Sequence, residues 1–184
     1  TVVFADGEDE NTLKAAIAFK NSGLGTPVIV AKENIVKQRL KEIGYGENLN
    51  IKIVNSTHKK MRDKYTKFLF KKMHRDQGLL ERDCDRIIRN DRVIWASCMV
   101  ECGDADAMVT GNTRRYSQSL ERIKKVIPAR KGEIMFGLNM VVRKGKTVFI
   151  GDTSVNEYPS SEELANIAIS SARVVRLFGI DPKV

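Results

Sequence analysis

The chain has 184 residues, of which 42% are hydrophobic, 30% charged and 7% aromatic, a globular composition long enough for one domain or for one domain and part of a second. At this size folding buries roughly 70% of the unfolded surface, so no disulfide or metal staple is required, and no apolar stretch approaches the roughly 18 to 20 residues of a membrane helix. The net charge of +9 directs attention to anionic partners.

In chain order, Val2–Ala5 reads as a short buried strand broken by the Asp6-Gly7 turn. A helix follows to about Asn21, with Leu13, Ala16 and Ile17 on its apolar face and Gly23 and Gly25 stopping it. Pro27–Ala31 is a second strand, Ile35–Ile43 a helix ended by Gly44, and Ile51–Val54 a third strand, after which Ser56 is placed to cap a helix. Between His58 and Arg75 stand Lys59, Lys60, Arg62, Lys64, Lys67, Lys71, Lys72 and Arg75 against one acid, Asp63, so most of the net charge is here. Met61, Tyr65, Phe68, Leu69 and Met73 recur in the same segment at helical spacing, which predicts an amphipathic helix with a lysine-rich outer face. A solvated helix face, a phosphate-bearing small ligand and a nucleic acid all remain compatible with that patch.

A mostly helical stretch runs from about Leu79 to Cys102, Ala107–Thr110 is a strand, and Arg115–Val126 a helix ended by Pro128. Met140–Arg143 and Thr147–Ile150 then flank Lys144-Gly145-Lys146 as a hairpin. A last helix starts at Pro159 or Ser160, where Ser160 and Glu163 form a capping box, and runs to Phe178 with Gly179 as its C′ residue. Alternating strands and helices predict an α/β fold with helices on both faces of the sheet, and the hairpin makes that sheet mixed but mostly parallel. The chain opens on Thr1, one residue before a strand, and stops at Asp181-Pro182-Lys183-Val184, where a new strand would start; a piece of a longer polypeptide is expected. The short apolar run of residues 1–7 leads into acids rather than following a basic stretch, so secretion is not expected and a cytoplasmic location is.

Three cysteines, Cys84, Cys98 and Cys102, lack C-x-x-C spacing and read as thiols of a reducing compartment. Cys98 and Cys102 share a helix face as two buried thiols, and a zinc site would need more ligands than the distant His58 and His74 supply. With two histidines in all, chemistry must come from Arg, Lys, Asp, Glu, Ser, Thr or backbone amides.

In open α/β sheets ligands lie beyond the carboxyl ends of the strands, and three loops hold that position. Asp6–Glu10 is too acidic for a direct phosphate cradle and suits a helix N-terminus stabilised by acids. Thr110-Gly111-Asn112-Thr113-Arg114-Arg115 leads from a strand into a helix, with a glycine for close approach, hydroxyl and amide donors, and two forked cations. It reads either as an anion site or as a capped turn, and it lacks the spacing of a Walker loop. Gly151–Asn156 clusters polar groups, Asp152 and Asn156 among them, as a third candidate or a simple turn.

Four stretches carry a family resemblance. Val3-Phe4-Ala5-Asp6-Gly7-Glu8-Asp9-Glu10 with Leu13-Lys14-Ala15-Ala16 resembles the opening of the phosphate acetyltransferase and butyryltransferase family. Gly103–Gly111 resembles its central strand and substrate loop, while Gly151–Pro159 and Glu163–Ala168 resemble its later strand-to-helix motif. The wording is most similar to the acetyltransferase-like domain at the C-terminal end of bacterial NADP-dependent malic enzymes.

The resemblance implies a three-layer α/β/α, isocitrate-dehydrogenase-like architecture, with residues 1–130 as a first subdomain and 131–184 as the start of a second around a cleft. It implies a homodimer or higher homo-oligomer. The family reaction moves an acyl group between phosphate and coenzyme A: a CoA thiolate attacks the acyl phosphate, arginines hold the phosphate and a carboxylate assists deprotonation. The site residues it suggests for substrate and CoA are Thr110, Gly111, Asn112, Thr113, Arg114, Arg115, Lys72, Arg75, Asp152 and Asn156. No metal or cofactor is implied in this domain; NADP and a divalent metal belong to the dehydrogenase part of the parent malic enzyme, which decarboxylates malate oxidatively.

Two departures bear on activity. The family's catalytic Ser-Arg motif and nearby Asp lie beyond Val184, and active members resemble Leu-Arg where this chain has Leu120-Glu121. Glu121 reverses the charge at that position, and Arg122 next to it is rotated about 100° around the helix. The expectation is a domain that binds acetyl-CoA as a regulatory module; a working phosphate acetyltransferase is the alternative, and nucleic-acid binding through the basic helix ranks last because no aromatic stacking series accompanies the lysines.

Overall fold

The computed structural model describes residues 1–46 and 50–183, with the side chains of Arg75 and Asp76 outside the described part. The chain forms two compact units, Thr1–Pro128 and Ala129–Val184. The first contains β1 (Val2–Phe4), α1 (Glu10–Asn21), β2 (Pro27–Val30), α2 (Glu33–Glu42), β3 (Lys52–Val54), α3 (Lys59–Gln77), α4 (Glu81–Asn90), α5 (Arg92–Glu101), β4 (Ala107–Val109) and α6 (Tyr116–Val126). The second contains β5 (Leu138–Arg143), β6 (Lys146–Gly151) and α7 (Ser161–Leu177).

The four strands of the first unit form one wholly parallel sheet in the order β3-β2-β1-β4, with Val3 opposite Val28 on one side and Met108 on the other. Its two central strands, β1 and β2, are covered on both faces, and this is why they are continuous apolar runs. Alternation sends Val3, Val28, Val30 and Val54 to one face and Phe4 and Ile29 to the other. The first face packs against Tyr65 and Leu69 of α3, Cys84 and Ile88 of α4, and Trp95 and Met99 of α5. The second packs against Leu13, Ala16 and Ile17 of α1 and Val36 and Leu40 of α2.

The amphipathic reading of α3 holds: Tyr65, Leu69 and Met73 are buried, while Lys59, Lys60, Lys67 and Lys71 face outward. Its cap does not follow the expectation. Ser56 does not start the helix; His58 occupies the N-cap without a side-chain bond, and Asn55 organises the preceding turn by accepting from the Thr57 amide at 2.8 Å. The helical stretch from Leu79 is two helices broken at Asp91, which ends α4 and caps α5 by accepting from the Val93 and Ile94 amides.

In the second unit β5 and β6 pair antiparallel as a separate two-stranded ribbon, so among the described residues the antiparallel strands do not join the parallel sheet that they were expected to extend. Lys144 and Gly145 turn the hairpin with φ values of 43° and 77°, the left-handed geometry a tight hairpin demands. The capping box of α7 is formed: the Ser160 amide donates to Glu163 at 2.7 Å and the Glu163 amide to Ser160 Oγ at 3.3 Å. Among the described residues no helix is long and apolar enough to cross a membrane.

Gly7 fixes how closely the end of β1 approaches β2. A Cβ there would lie 2.1 Å from Ile29 Cγ2 and 3.0 Å from the Val30 carbonyl oxygen. Gly7→Ala is therefore expected to cost about 1–3 kcal/mol by overpacking, measured by denaturant unfolding; unchanged stability would show that β2 gives way freely.

Candidate functional site

The chain order β1-β2-β3 runs outward on one side of β1 while β4 adds on the other, so the direction reverses between β1 and β4. At such a reversal the loops after the two strands part and leave a crevice beyond their carboxyl ends. Those loops are residues 5–9 and 110–115.

The second closes on a side chain of the first. Asp6 is 4% exposed, and its carboxylate accepts from the Gly111 amide at 2.9 Å, the Asn112 amide at 3.2 Å, Thr110 Oγ1 at 3.3 Å and Thr113 Oγ1 at 2.5 Å. Gly111 has φ 117°, a backbone conformation that L side chains rarely adopt and that this loop requires. Asp9 caps α1, accepting from the Thr12 amide and hydroxyl, and it also accepts from Asn112 Nδ2 at 2.7 Å. The Thr12 amide bond is the main cause that holds the Asp9 carboxyl below its ordinary pKa. The expected acid-stabilised helix start is thus present, and Asp6 performs a second task that its acidic sequence context did not disclose.

Asp91 takes up the cations. Arg114 Nη1 donates to both its oxygens at 3.0 and 2.9 Å, and Arg122 Nε donates to Oδ2 at 2.5 Å. Burial works to raise the Asp91 pKa, but the bonds from Arg122 and Arg114 outweigh it and hold the carboxyl below the usual range. Asp91 is the largest omission of the sequence reading; its only signal was an N-cap residue type after Asn90 inside an otherwise helical run. Arg115 stands at the N-cap of α6, exposed.

The remaining suggested residues lie elsewhere. Lys72 donates to the Val126 carbonyl and lies over the Phe68 ring, which puts it at the C-terminal end of α6. The 110–115 loop feeds the other end of that 11-residue helix, roughly 16 Å away along its axis. Glu121 is exposed and bonds Lys125 at 2.8 Å, which lowers its pKa, so it stands ionised on the surface depression that Lys72 also lines. Arg75 is within α3, and its side chain lies outside the described residues.

Asp152 and Asn156 belong to the second unit. The Asp152 carboxylate accepts from the amides of Gly137, Ser154, Val155 and Asn156 and from Asn156 Nδ2, at 2.7–3.1 Å. Burial would raise its pKa, yet those amides pull it down to about 2. Asn156 also donates to the Met135 carbonyl, so both side chains hold their own loop in shape. Cys84 and Cys98 are buried free thiols and Cys102 is half-buried, and burial raises all three pKa values. Among the described residues no group of three His, Cys, Asp or Glu is placed to hold a metal.

A doubly wound parallel unit with its loops meeting at the β1/β4 reversal defines an α/β protein of the ligand-crevice type. The family model described as "Phosphate acetyl/butaryl transferase" matches residues 1–184, and the chain belongs to that family. It is 38% identical over 184 residues to the NADP-dependent malic enzyme of Rhizobium meliloti, covering all of this chain and 24% of that protein. It is 27% identical over 184 residues to the phosphate acetyltransferase of Helicobacter pylori, covering 35% of that enzyme. The solved EutD phosphotransacetylase from Staphylococcus aureus shares the fold, with a TM-score of 0.89, 22% identity, and coverage of 98% of this chain and 54% of that one. The chain is a phosphotransacetylase-like domain of the kind found in malic enzymes and phosphate acetyltransferases, and it spans about a quarter of the length of the malic enzymes that it matches.

The Asp91 hub gives a pH-dependent prediction. With its folded pKa below the ordinary value of about 3.9, its ionised form stabilises fully above that value, and the contribution is lost as the pH falls through the folded pKa. Asp91→Asn keeps the α5 cap but lacks the charge for Arg114 and Arg122, and is expected to lose about 1–3 kcal/mol at pH 7. Its melting temperature should also fall less steeply than wild type below about pH 4; parallel acid profiles would assign the acid sensitivity to other carboxylates.

Proposed function

We propose that this domain is an acetyl-CoA-binding regulatory module of a malic enzyme, with the transferase activity of its family attenuated. The observation that carries the reading is the commitment of the anion-binding groups at the β1/β4 crevice. The Gly111 and Asn112 amides serve Asp6, and Arg114 and Arg122 serve Asp91. An acyl phosphate would have to displace two carboxylates of the protein, and the position where active members resemble Leu-Arg carries the ionised Glu121. Transferase catalysis depends on donors preorganised toward developing negative charge, and donors already satisfied by carboxylates do not supply it.

Binding of a thioester makes a smaller demand. Its carbonyl is neutral, and the phosphates of CoA can be met by exposed cations such as Arg115 and the lysines of α3. The identity to a malic enzyme over the whole chain supports the regulatory setting, in which NADP, the metal and malate belong to another part of the polypeptide. A cytoplasmic homo-oligomer is the assembly consistent with this role. The basic helix supports a nucleotide-like ligand better than a nucleic acid, since its aromatic residues Tyr65, Phe68 and Phe70 pack against the core.

Calorimetric titration of the malic enzyme carrying this domain with acetyl-CoA tests the proposal. Saturable binding is expected, together with about 2.7 kcal/mol of added stability at 100 times the dissociation constant. Deleting the domain should abolish acetyl-CoA inhibition of malate decarboxylation. Inhibition that survives the deletion would overturn the regulatory reading, and rapid thioester formation from acetyl phosphate and CoA would restore the transferase.

A further inference from the structure

We draw no further inference here: the strongest candidate, the apolar groove between the β5–β6 hairpin and α7 in the second unit, lined by Leu138, Val148, Phe149, Leu164, Ile167 and Val175, carries nothing because nothing in the structure shows what covers it.

Discussion

The Asp6 carboxylate is the contact on which the crevice depends. It is nearly inaccessible to water, it sits at the carboxyl end of β1, and it holds four donors of the loop that follows β4, a loop more than a hundred residues later in the chain. A buried carboxylate is tolerated only when hydrogen bonds replace its hydration, and four donors do so here. The same bonds place Arg114 to reach Asp91, which caps α5 and also receives Arg122 from α6. Two acids thus connect the strand ends to the helices on one face of the sheet. What the arrangement provides in order, it removes from ligand binding, because the donors that would cradle an anion already hold one.

Much of the fold was legible in the sequence because its cause is local. A strand buried on both faces must be apolar throughout, and Val28-Ile29-Val30 is; a helix on a core must repeat every three or four residues, and Tyr65, Leu69 and Met73 do. Ser160 and Glu163 lie three apart, so their capping box could be read directly. The break between α4 and α5 was not legible, since residues 79–102 read as helix-forming on both sides of Asp91 and only the cap marks it. Ser56 was overvalued because residue type indicates a cap without its geometry, and the turn was organised one residue earlier by Asn55.

The site was legible as a place and not as a state. The composition of Thr110–Arg115 and the strand-to-helix context were enough to point to the crevice. No pattern in either segment announces that Asp6 enters that loop, or that Asp91 collects both Arg114 and Arg122, because these pairings arise from the sheet order β3-β2-β1-β4. Lys72 was associated with the loop through family likeness, yet within the first unit it is anchored at the opposite end of α6.

The central claim is that the loop after β4 is occupied by the protein's own carboxylate, and amide hydrogen exchange at Gly111 and Asn112 tests it most directly. In ligand-free protein both amides should exchange slowly despite their surface position, and Asp6→Ala should release both together. Rapid exchange at both sites in the unmodified protein would contradict the account and return the loop to the status of an open anion cradle.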